Sequence, residues 1–172
     1  DKYTTKYRGL QNQGATWYLN SLIQTLYMTH EFRSILYSWD YKEAEDLFNK
    51  EYCIPLQLQI LFGCLQASKR SQVSTKGLTQ SFNWKSNEVS YQQDIQEFCR
   101  VLFNAIEESF KIINKPCKIN DLYQGAMTDY LKCTECGYER KFTNEFLDLS
   151  LPISDPFSNI HNSSLEEAIR NY

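Results

Sequence analysis

The sequence predicts an α+β fold with helices first and strands later, and three observations carry that prediction. Apolar residues recur every three or four positions through roughly the first two thirds of the chain, as in amphipathic helices. Past Lys118 the pattern changes to extended segments around a cysteine-bearing turn. With 172 residues, of which 42% are hydrophobic and 15% aromatic, the chain can bury a core, so we expect a globular protein.

The helical region begins after a polar loop. Residues 9–16 contain Gly, Asn and Gln, which favour a structured loop. The first helix begins at Trp17, with Thr16 available as its N-cap. Residues 40–52 are charged and lack periodicity, which indicates a surface connection. The other predicted helices are a short one through 32–39, one that Pro55 opens, a short one near 75–82, and the longest from about 92 to 112.

The last third is predicted to form a strand, a turn and a returning strand. Apolar positions mark extended segments from Tyr123 to Leu131 and from Phe142 to Leu151. Ser164, followed three residues later by Glu167, has the spacing of a capping box and predicts a final helix. Because the sequence stops inside that helix, we expect it to be part of a longer chain.

Charge, apolar patterning and cysteine usage argue against several classes of partner and several cellular locations. A net charge of -3 provides no basic field for nucleic acid. The apolar runs fall short of the roughly 20 residues that a membrane span needs, and no secretory leader opens the sequence. Cys53, Cys64 and Cys99 lie in or beside apolar helical patterns, where buried reduced thiols are usual. We therefore expect an intracellular protein, cytoplasmic or nuclear, with no nucleic-acid or membrane partner.

The loop that enters the first helix has the composition of a site for nucleophilic chemistry. Backbone N–H groups and an amide side chain can converge on the helix N-terminus, where negative charge is favoured. A cysteine at the first helical position would have a lowered pKa and would attack a carbonyl readily. In this sequence, that first position is Trp17.

Three ordered blocks carry a resemblance to a known family. They are GLQNQGATWYLNS at 9–21, YQQDIQEF at 91–98, and LYQG, CTECG and FLDLSL within 122–151. The first resembles the cysteine box of the ubiquitin-specific proteases, the second their Q-Q-D-x-Q-E-F helix, and the third the beginning of their fingers subdomain. The resemblance covers almost the whole chain and implies a papain-like cysteine protease fold. Residues 1–172 would then be a single partial domain, with about 7–115 in the helical thumb and about 119–172 at the start of the fingers and palm.

Trp17 stands where this family has its catalytic cysteine. An indole has no ionisable group near neutral pH and no lone pair that attacks a carbonyl carbon, so the nucleophile is lost. From residue type alone, the alternative is a core aromatic that anchors the helix start. The family's general-base histidine would lie beyond Tyr172, and His30 and His161 are expected to be surface residues.

The resemblance also assigns roles to other residues. Asn12 matches the oxyanion-hole amide, with loop shaping as the alternative. Asp94 and Glu97 match acidic positions that face the basic C-terminal tail of ubiquitin, with a solvated helix face as the alternative. Gln92 and Gln93 are expected to pack and hydrogen-bond against the loop at Asn12, or else to form an ordinary polar helix start.

Cys133 and Cys136 have the spacing of one half of a zinc site. A closed structural site needs four ligands, and the family's second pair would follow Tyr172. We therefore expect no cofactor, with zinc possible only if a second cysteine pair is supplied; two idle thiols on a turn are the alternative.

The resulting prediction is a catalytically inactive, ubiquitin-specific-protease-like domain. It would act as a pseudoenzyme that binds ubiquitin or a ubiquitinated protein, or that belongs to a larger assembly. The alternative is a part of an active thiol-dependent deubiquitinase, which hydrolyses the bond after the ubiquitin C-terminal Gly.

Overall fold

The chain forms two compact units, one ending at Leu122 and the other beginning at Tyr123. The first unit contains helices and a pair of very short strands, and the second contains a hairpin and a helix. This mixture of helix and strand confirms the predicted α+β class. The structure is a computed structural model that describes residues 7–14, 16–83, 94–154 and 161–172.

Helix α1 (Trp17–Met28) begins at the predicted residue and supports the site. It carries no charged side chain, and one face is buried through Tyr18, Leu19, Ile23 and Leu26. It contacts two other helices, α2 (His30–Ser38) and α5 (Ile95–Ile112). Removing a large apolar side chain from water contributes about 2 kcal/mol, so this buried face fixes the orientation of α1.

An aromatic core joins helices α2, α3 (Ile54–Ala67) and α5. The ring centroid of Phe32 lies 6.2 Å from that of Phe62 and 6.0 Å from that of Phe103. The indole Nε1 of Trp39 donates to the carbonyl oxygen of Ser109 at 3.0 Å, and Trp39 is fully buried. The core therefore links helices that are far apart in the sequence.

Two short parallel strands, β1 (Gly9–Leu10) and β2 (Gln72–Val73), were not predicted. The N–H of Gly9 donates to the Ser71 carbonyl at 3.0 Å, and the N–H of Gln11 donates to the Val73 carbonyl at 2.8 Å. Strands of two residues have no readable periodicity, which explains the omission. Helix α4 (Lys76–Ser81) follows β2 directly, as the sequence predicts for this region.

The connection at residues 40–52 is mostly exposed, as predicted, and contains two 3₁₀ turns. Tyr41–Glu43 and Lys50–Tyr52 form these turns, each with a side-chain cap from the preceding residue. The hydroxyl of Tyr41 donates to the Phe48 carbonyl at 2.9 Å, which closes the loop on itself.

The second unit is built on an antiparallel hairpin of β3 (Gly125–Lys132) and β4 (Glu139–Phe146). This confirms the predicted order of strand, turn and returning strand, although β4 ends earlier than the extended pattern suggested. Side chains alternate between the two faces of a strand. One face therefore groups the apolar side chains Met127, Leu131, Phe142 and Phe146.

Two short helices flank the hairpin in sequence. Helix α6 (Ile119–Tyr123) precedes it and was not predicted, whereas α7 (Leu165–Arg170) follows it. The predicted cap is present, because the N–H of Glu167 donates to Ser164 Oγ at 3.2 Å. The carboxylate of Glu167 differs from the expected box, since it accepts from Ser163 N at 2.6 Å.

The described residues include no helix with both the length and the apolar character needed to cross a membrane. All six cysteines are free thiols. Cys53 is buried and Cys99 is half-buried, as the apolar patterns indicated, but Cys64 is exposed and that part of the expectation was wrong. Burial raises the pKa of the Cys53 thiol.

Candidate functional site

The candidate site is the loop of residues 9–14 together with Thr16 and the first turn of α1. The loop starts in β1 and is therefore tied to β2 by backbone hydrogen bonds. Its far end is fixed by α1, since the N–H of Asn20 donates to the Thr16 carbonyl at 3.0 Å. Between these anchors Gly14 has φ +116°, a conformation that residues with a Cβ rarely adopt.

Thr16 occupies the N-cap position of α1 but does not cap it with its side chain. Its Oγ1 accepts from the N–H of Gln13 at 2.9 Å and donates to Asn12 Oδ1 at 3.0 Å. The residue is fully buried. The predicted N-cap is therefore right in position and wrong in its bonding, and the positive end of the α1 dipole has no cap from its own threonine.

Asn12 is oriented by this arrangement. Its Oδ1 accepts from both the N–H and the hydroxyl of Thr16, at 3.3 and 3.0 Å. Because a backbone N–H only donates, the amide oxygen faces Thr16 and the NH₂ group is directed elsewhere. Asn12 is exposed, and its NH₂ makes no hydrogen bond to the described residues. Loop shaping by the oxygen and donation by the nitrogen are thus compatible.

Gln13 ties the loop to a distant segment. Its side-chain Nε2 donates to Thr75 Oγ1 at 2.5 Å, across 62 residues of sequence. Thr75 is fully buried. Sequence reasoning missed both residues, because a glutamine in a polar loop and a threonine before a short helix give no sign that they meet.

Trp17 is 55% exposed, so the alternative of a core aromatic was wrong. Its ring stands perpendicular to that of Tyr18, with centroids 6.1 Å apart. Its carbonyl accepts from Ser21 Oγ at 3.0 Å, within α1. The head of α1 thus presents a flat apolar ring with one N–H donor, and the side chain at this position has no nucleophilic atom.

The acidic pair lies at the start of α5. Asp94 is the N-cap, and its Oδ1 accepts from the N–H of Gln96 at 2.8 Å. Glu97 follows in the first turn and is exposed. Asp94 therefore has a structural bond, while Glu97 has its carboxylate in solvent. Gln92 and Gln93 lie outside the described residues.

Both histidines are exposed, and within the first unit His30 is not placed as a partner for position 17. His30 is exposed and begins α2, beyond the far end of α1 from Trp17. At a rise of 1.5 Å per residue, the length of α1 separates them by about 18 Å. His161 is also exposed, in the second unit. Both match the expected surface histidines.

Cys133 and Cys136 lie on the exposed turn between β3 and β4. The N–H groups of Cys136 and Glu135, together with the Cys136 thiol, lower the pKa of the Cys133 thiol. The turn is closed by a bond from the N–H of Gly137 to the Cys133 carbonyl at 3.0 Å, and Gly137 has φ +70°. In the described part of the chain no group of three or more metal-ligating side chains assembles. The pair fits two of the four ligands that structural zinc requires.

Comparison with protein families gives a match over nearly all of these elements. The family model described as ubiquitin carboxyl-terminal hydrolase matches residues 8–166, which include the loop, all the helices of the first unit and the hairpin. The match covers far more than half of the chain, so it does not depend on a single motif.

Curated relatives show the same similarity. The chain is 48% identical over 168 residues to ubiquitin carboxyl-terminal hydrolase 47 of Xenopus laevis and 46% identical over 169 residues to that of Homo sapiens. It is 39% identical over 173 residues to ubiquitin carboxyl-terminal hydrolase 40 of Homo sapiens. These alignments cover 97 to 98% of the chain, but only 12 to 14% of the length of each relative.

Proposed function

The chain belongs to the ubiquitin carboxyl-terminal hydrolase family, and from that membership we propose that it is a pseudoenzyme that holds ubiquitin without cleaving it. The observation that carries the proposal is the exposed indole of Trp17 at the head of α1. Thiol catalysis requires a sulfur that bonds to the carbonyl carbon and later leaves it. Carbon and nitrogen atoms of an indole do not perform that step.

Recognition would survive the loss of catalysis, because the groups around position 17 are still suited to a peptide terminus. Asn12 offers an exposed NH₂ donor, and the uncapped start of α1 favours a partly negative carbonyl oxygen. The Trp17 ring offers apolar area to a glycine backbone. A ubiquitin tail that ends in Gly-Gly has the right chemistry for such a surface.

Charge supports the same partner. Glu97 is exposed in the first turn of α5, where it can attract the basic tail of ubiquitin. The Asp94 carboxylate caps the helix, and its negative charge would also attract the basic tail. We assign Gln92 and Gln93 to the same surface on the resemblance alone, and we propose that residues 1–172 form part of one thumb-and-fingers domain within an intracellular protein.

Two measurements on one sample test the proposal. Calorimetric titration with ubiquitin should show binding, while a fluorogenic substrate at the ubiquitin C-terminus should not be hydrolysed above the buffer rate. Hydrolysis that persists through purification would show an active enzyme. Absence of binding at high micromolar ubiquitin would instead favour a scaffold in a larger assembly.

The acidic position can be tested with a matched pair of variants. Glu97→Gln should weaken ubiquitin binding about two- to fivefold at low salt, since exposed charge pairs contribute modestly. Glu108→Gln is the control, because Glu108 is an exposed residue about 16 Å further along α5 that pairs with Lys111 at 2.6 Å. Equal effects of the two variants on ubiquitin affinity would show that Glu97 has no specific role in binding.

The retained loop geometry also favours a second candidate, an active-site frame that lacks only its reacting groups. The exposed NH₂ of Asn12 and the uncapped start of α1 are groups of the kind that an oxyanion site uses, which supports this candidate. Trp17→Cys would supply the nucleophile, and the general base would have to come from residues outside this chain. Ubiquitin hydrolysis by the Trp17→Cys form of a longer protein would support this candidate.

A further inference from the structure

We propose that Gln13 and Thr75 are positioning residues for the site: the hydrogen bond between them holds the loop so that Asn12 presents its NH₂ donor beside position 17. The proposal deepens the proposed function and rests on it, because it concerns how the same site would meet a ubiquitin carbonyl. Neither residue is placed in contact with ubiquitin, and both act through Asn12.

Two buried threonines at N-cap positions are bonded in an unusual way. Thr16 precedes α1 and Thr75 precedes α4, and neither side chain bonds to the first turn of its own helix. A threonine at this position usually accepts from an N–H of the first turn, a bond that contributes about 1 kcal/mol to helix stability. Both hydroxyls are bonded to Gln13 instead, which identifies that residue as the centre of the arrangement.

Hydrogen bonds donated by Gln13 to Thr75 and to Thr16, and by Thr16 to Asn12, link Thr75 to Asn12. Gln13 Nε2 donates to Thr75 Oγ1 at 2.5 Å, and the Gln13 N–H donates to Thr16 Oγ1 at 2.9 Å. Since Thr16 Oγ1 accepts there, its hydrogen is available to Asn12 Oδ1 at 3.0 Å. The oxygen of Asn12 is thereby fixed toward Thr16, and its NH₂ is turned to the exposed side.

The backbone places the two segments side by side. In the β1–β2 pair the N–H of Gln11 donates to the Val73 carbonyl at 2.8 Å, two residues before Gln13 and Thr75 respectively. The Gln13–Thr75 bond therefore continues the ladder with side chains at the point where the strands end. Among the described residues, it is the hydrogen bond that ties the part of the loop after Gln11 to the 71–75 segment.

Amide exchange on the 172-residue chain tests the positioning directly. Thr75→Val removes the acceptor at nearly constant shape, and Thr75→Ser restores it. Thr79→Val is the matched control, because Thr79 is buried in the helix that Thr75 precedes and its hydroxyl donates to the Lys76 carbonyl of that same helix. Thr75→Val should speed exchange of the Gln13 and Thr16 N–H groups about tenfold over the control and increase the mobility of the Asn12 NH₂.

A second variant removes the donor of the Gln13–Thr75 hydrogen bond instead of its acceptor. Gln13→Met removes Nε2 from a half-exposed side chain of similar length, so it keeps the test available if Thr75→Val fails to fold. It should reproduce the faster exchange at Thr16. Exchange rates equal to those of Thr79→Val, in either variant, would overturn the positioning role.

Ubiquitin affinity separates this proposal from the proposed function. If the unsubstituted chain binds ubiquitin, Thr75→Val should weaken binding about tenfold more than Thr79→Val does, and Thr75→Ser should recover it. Equal weakening by the two valine variants would overturn the positioning role. If the unsubstituted chain does not bind, the proposed function fails, and the exchange comparison still decides whether Gln13 and Thr75 hold the loop.

Discussion

The loop before α1 and the turn between β3 and β4 both carry groups suited to chemistry, but they are held by different means. The loop depends on partners 62 residues away, through Gln13 and Thr75. The turn at Cys133 and Cys136 depends on its own backbone, with hydrogen bonds that span only a few residues. The first region therefore needs the folded first unit, whereas the hydrogen bonds that close the second lie within a few residues of each other in sequence.

Under the proposed function, this difference explains how a site would lose its reaction and keep the hydrogen bonds that support its loop. In the proposed pseudoenzyme, Trp17 occupies the position of the nucleophile with a side chain that is 55% exposed, so the buried hydrogen bonds at Thr16 and Thr75 would be kept. The turn illustrates the opposite case, since its two thiols are well placed but, among the residues that the structure describes, incomplete as a zinc site. The loop before α1 thus keeps its supporting hydrogen bonds, whereas the Cys133–Cys136 turn keeps its local backbone geometry.

The largest contrast is expected in thiol labelling. Cys133 and Cys136 are exposed on their turn, while Cys53 is buried with a raised pKa. Under native conditions iodoacetamide should label Cys53 on the order of 100-fold more slowly, because the reactive thiolate is both scarce and inaccessible. Peptide mass spectrometry over time gives the rates, and urea should equalise them. Equal native rates would show that the first unit opens readily.

The next largest effect is expected from Thr16→Val, which breaks the centre of the long-range arrangement. It leaves the part-buried N–H of Gln13 without its acceptor, beside the fully buried Thr16 side chain, and should lower the free energy of unfolding by about 2–3 kcal/mol. Thr25→Val is the control, since that exposed hydroxyl bonds within α1 and should cost under about 0.5 kcal/mol. Urea unfolding measures both, and similar losses would refute the special role of Thr16.

The same Gly→Ala substitution in each region compares the backbone strain of the loop with that of the turn. Gly14 has φ +116° and Gly137 has φ +70°, and a methyl group added to either Cα would have no neighbouring atom within 4 Å, so strain alone decides the outcome. Gly14→Ala should cost about 2 kcal/mol, because only glycine is comfortable there. Gly137→Ala should cost about 1 kcal/mol in the left-handed region. Urea unfolding that gives the reverse order would contradict the assignment of strain.

The smallest effect is expected at Glu167, whose bonds are local. Hydrogen bonds from the Ser163 hydroxyl and N–H lower the pKa of this carboxyl. Its contribution to α7 is therefore present above the ordinary carboxyl range and is lost as pH falls through the lowered pKa. Carbon chemical shifts of residues 165–170 should lose helical character in that range. Glu167→Gln should remove the pH dependence, and an unchanged profile would exclude this carboxyl.

Most helices and the hairpin could be predicted because their signals are local. Helix α1 follows from apolar spacing after Thr16, and α3 from Pro55 at its start. The β1–β2 pair could not be predicted, because two residues show no sequence periodicity and become strands only through their pairing in the folded chain. Helix α6 is similarly short, and α5 begins only at Ile95 because Asp94 caps it.

The residues of the candidate site likewise fall into those with a local sequence signal and those without one. Trp17 and Asn12 were assigned to the candidate site because a motif that resembles the family's marks their positions. Gln13 and Thr75 were missed because their roles arise from a tertiary hydrogen bond that no spacing rule contains. The core alternative for Trp17 failed for a related reason, since residue type alone does not show which face of a helix is covered.

The most direct test of the account follows the indole N–H signals of the chain by NMR during a ubiquitin titration. Trp39 is an internal reference, because its Nε1 is buried and bonded to the Ser109 carbonyl. The account predicts that the Trp17 signal shifts saturably, that the Trp39 signal stays in place, and that ubiquitin is recovered uncleaved from a C-terminal fusion. An unmoved Trp17 signal at saturating ubiquitin, or cleavage of the fusion, would contradict it.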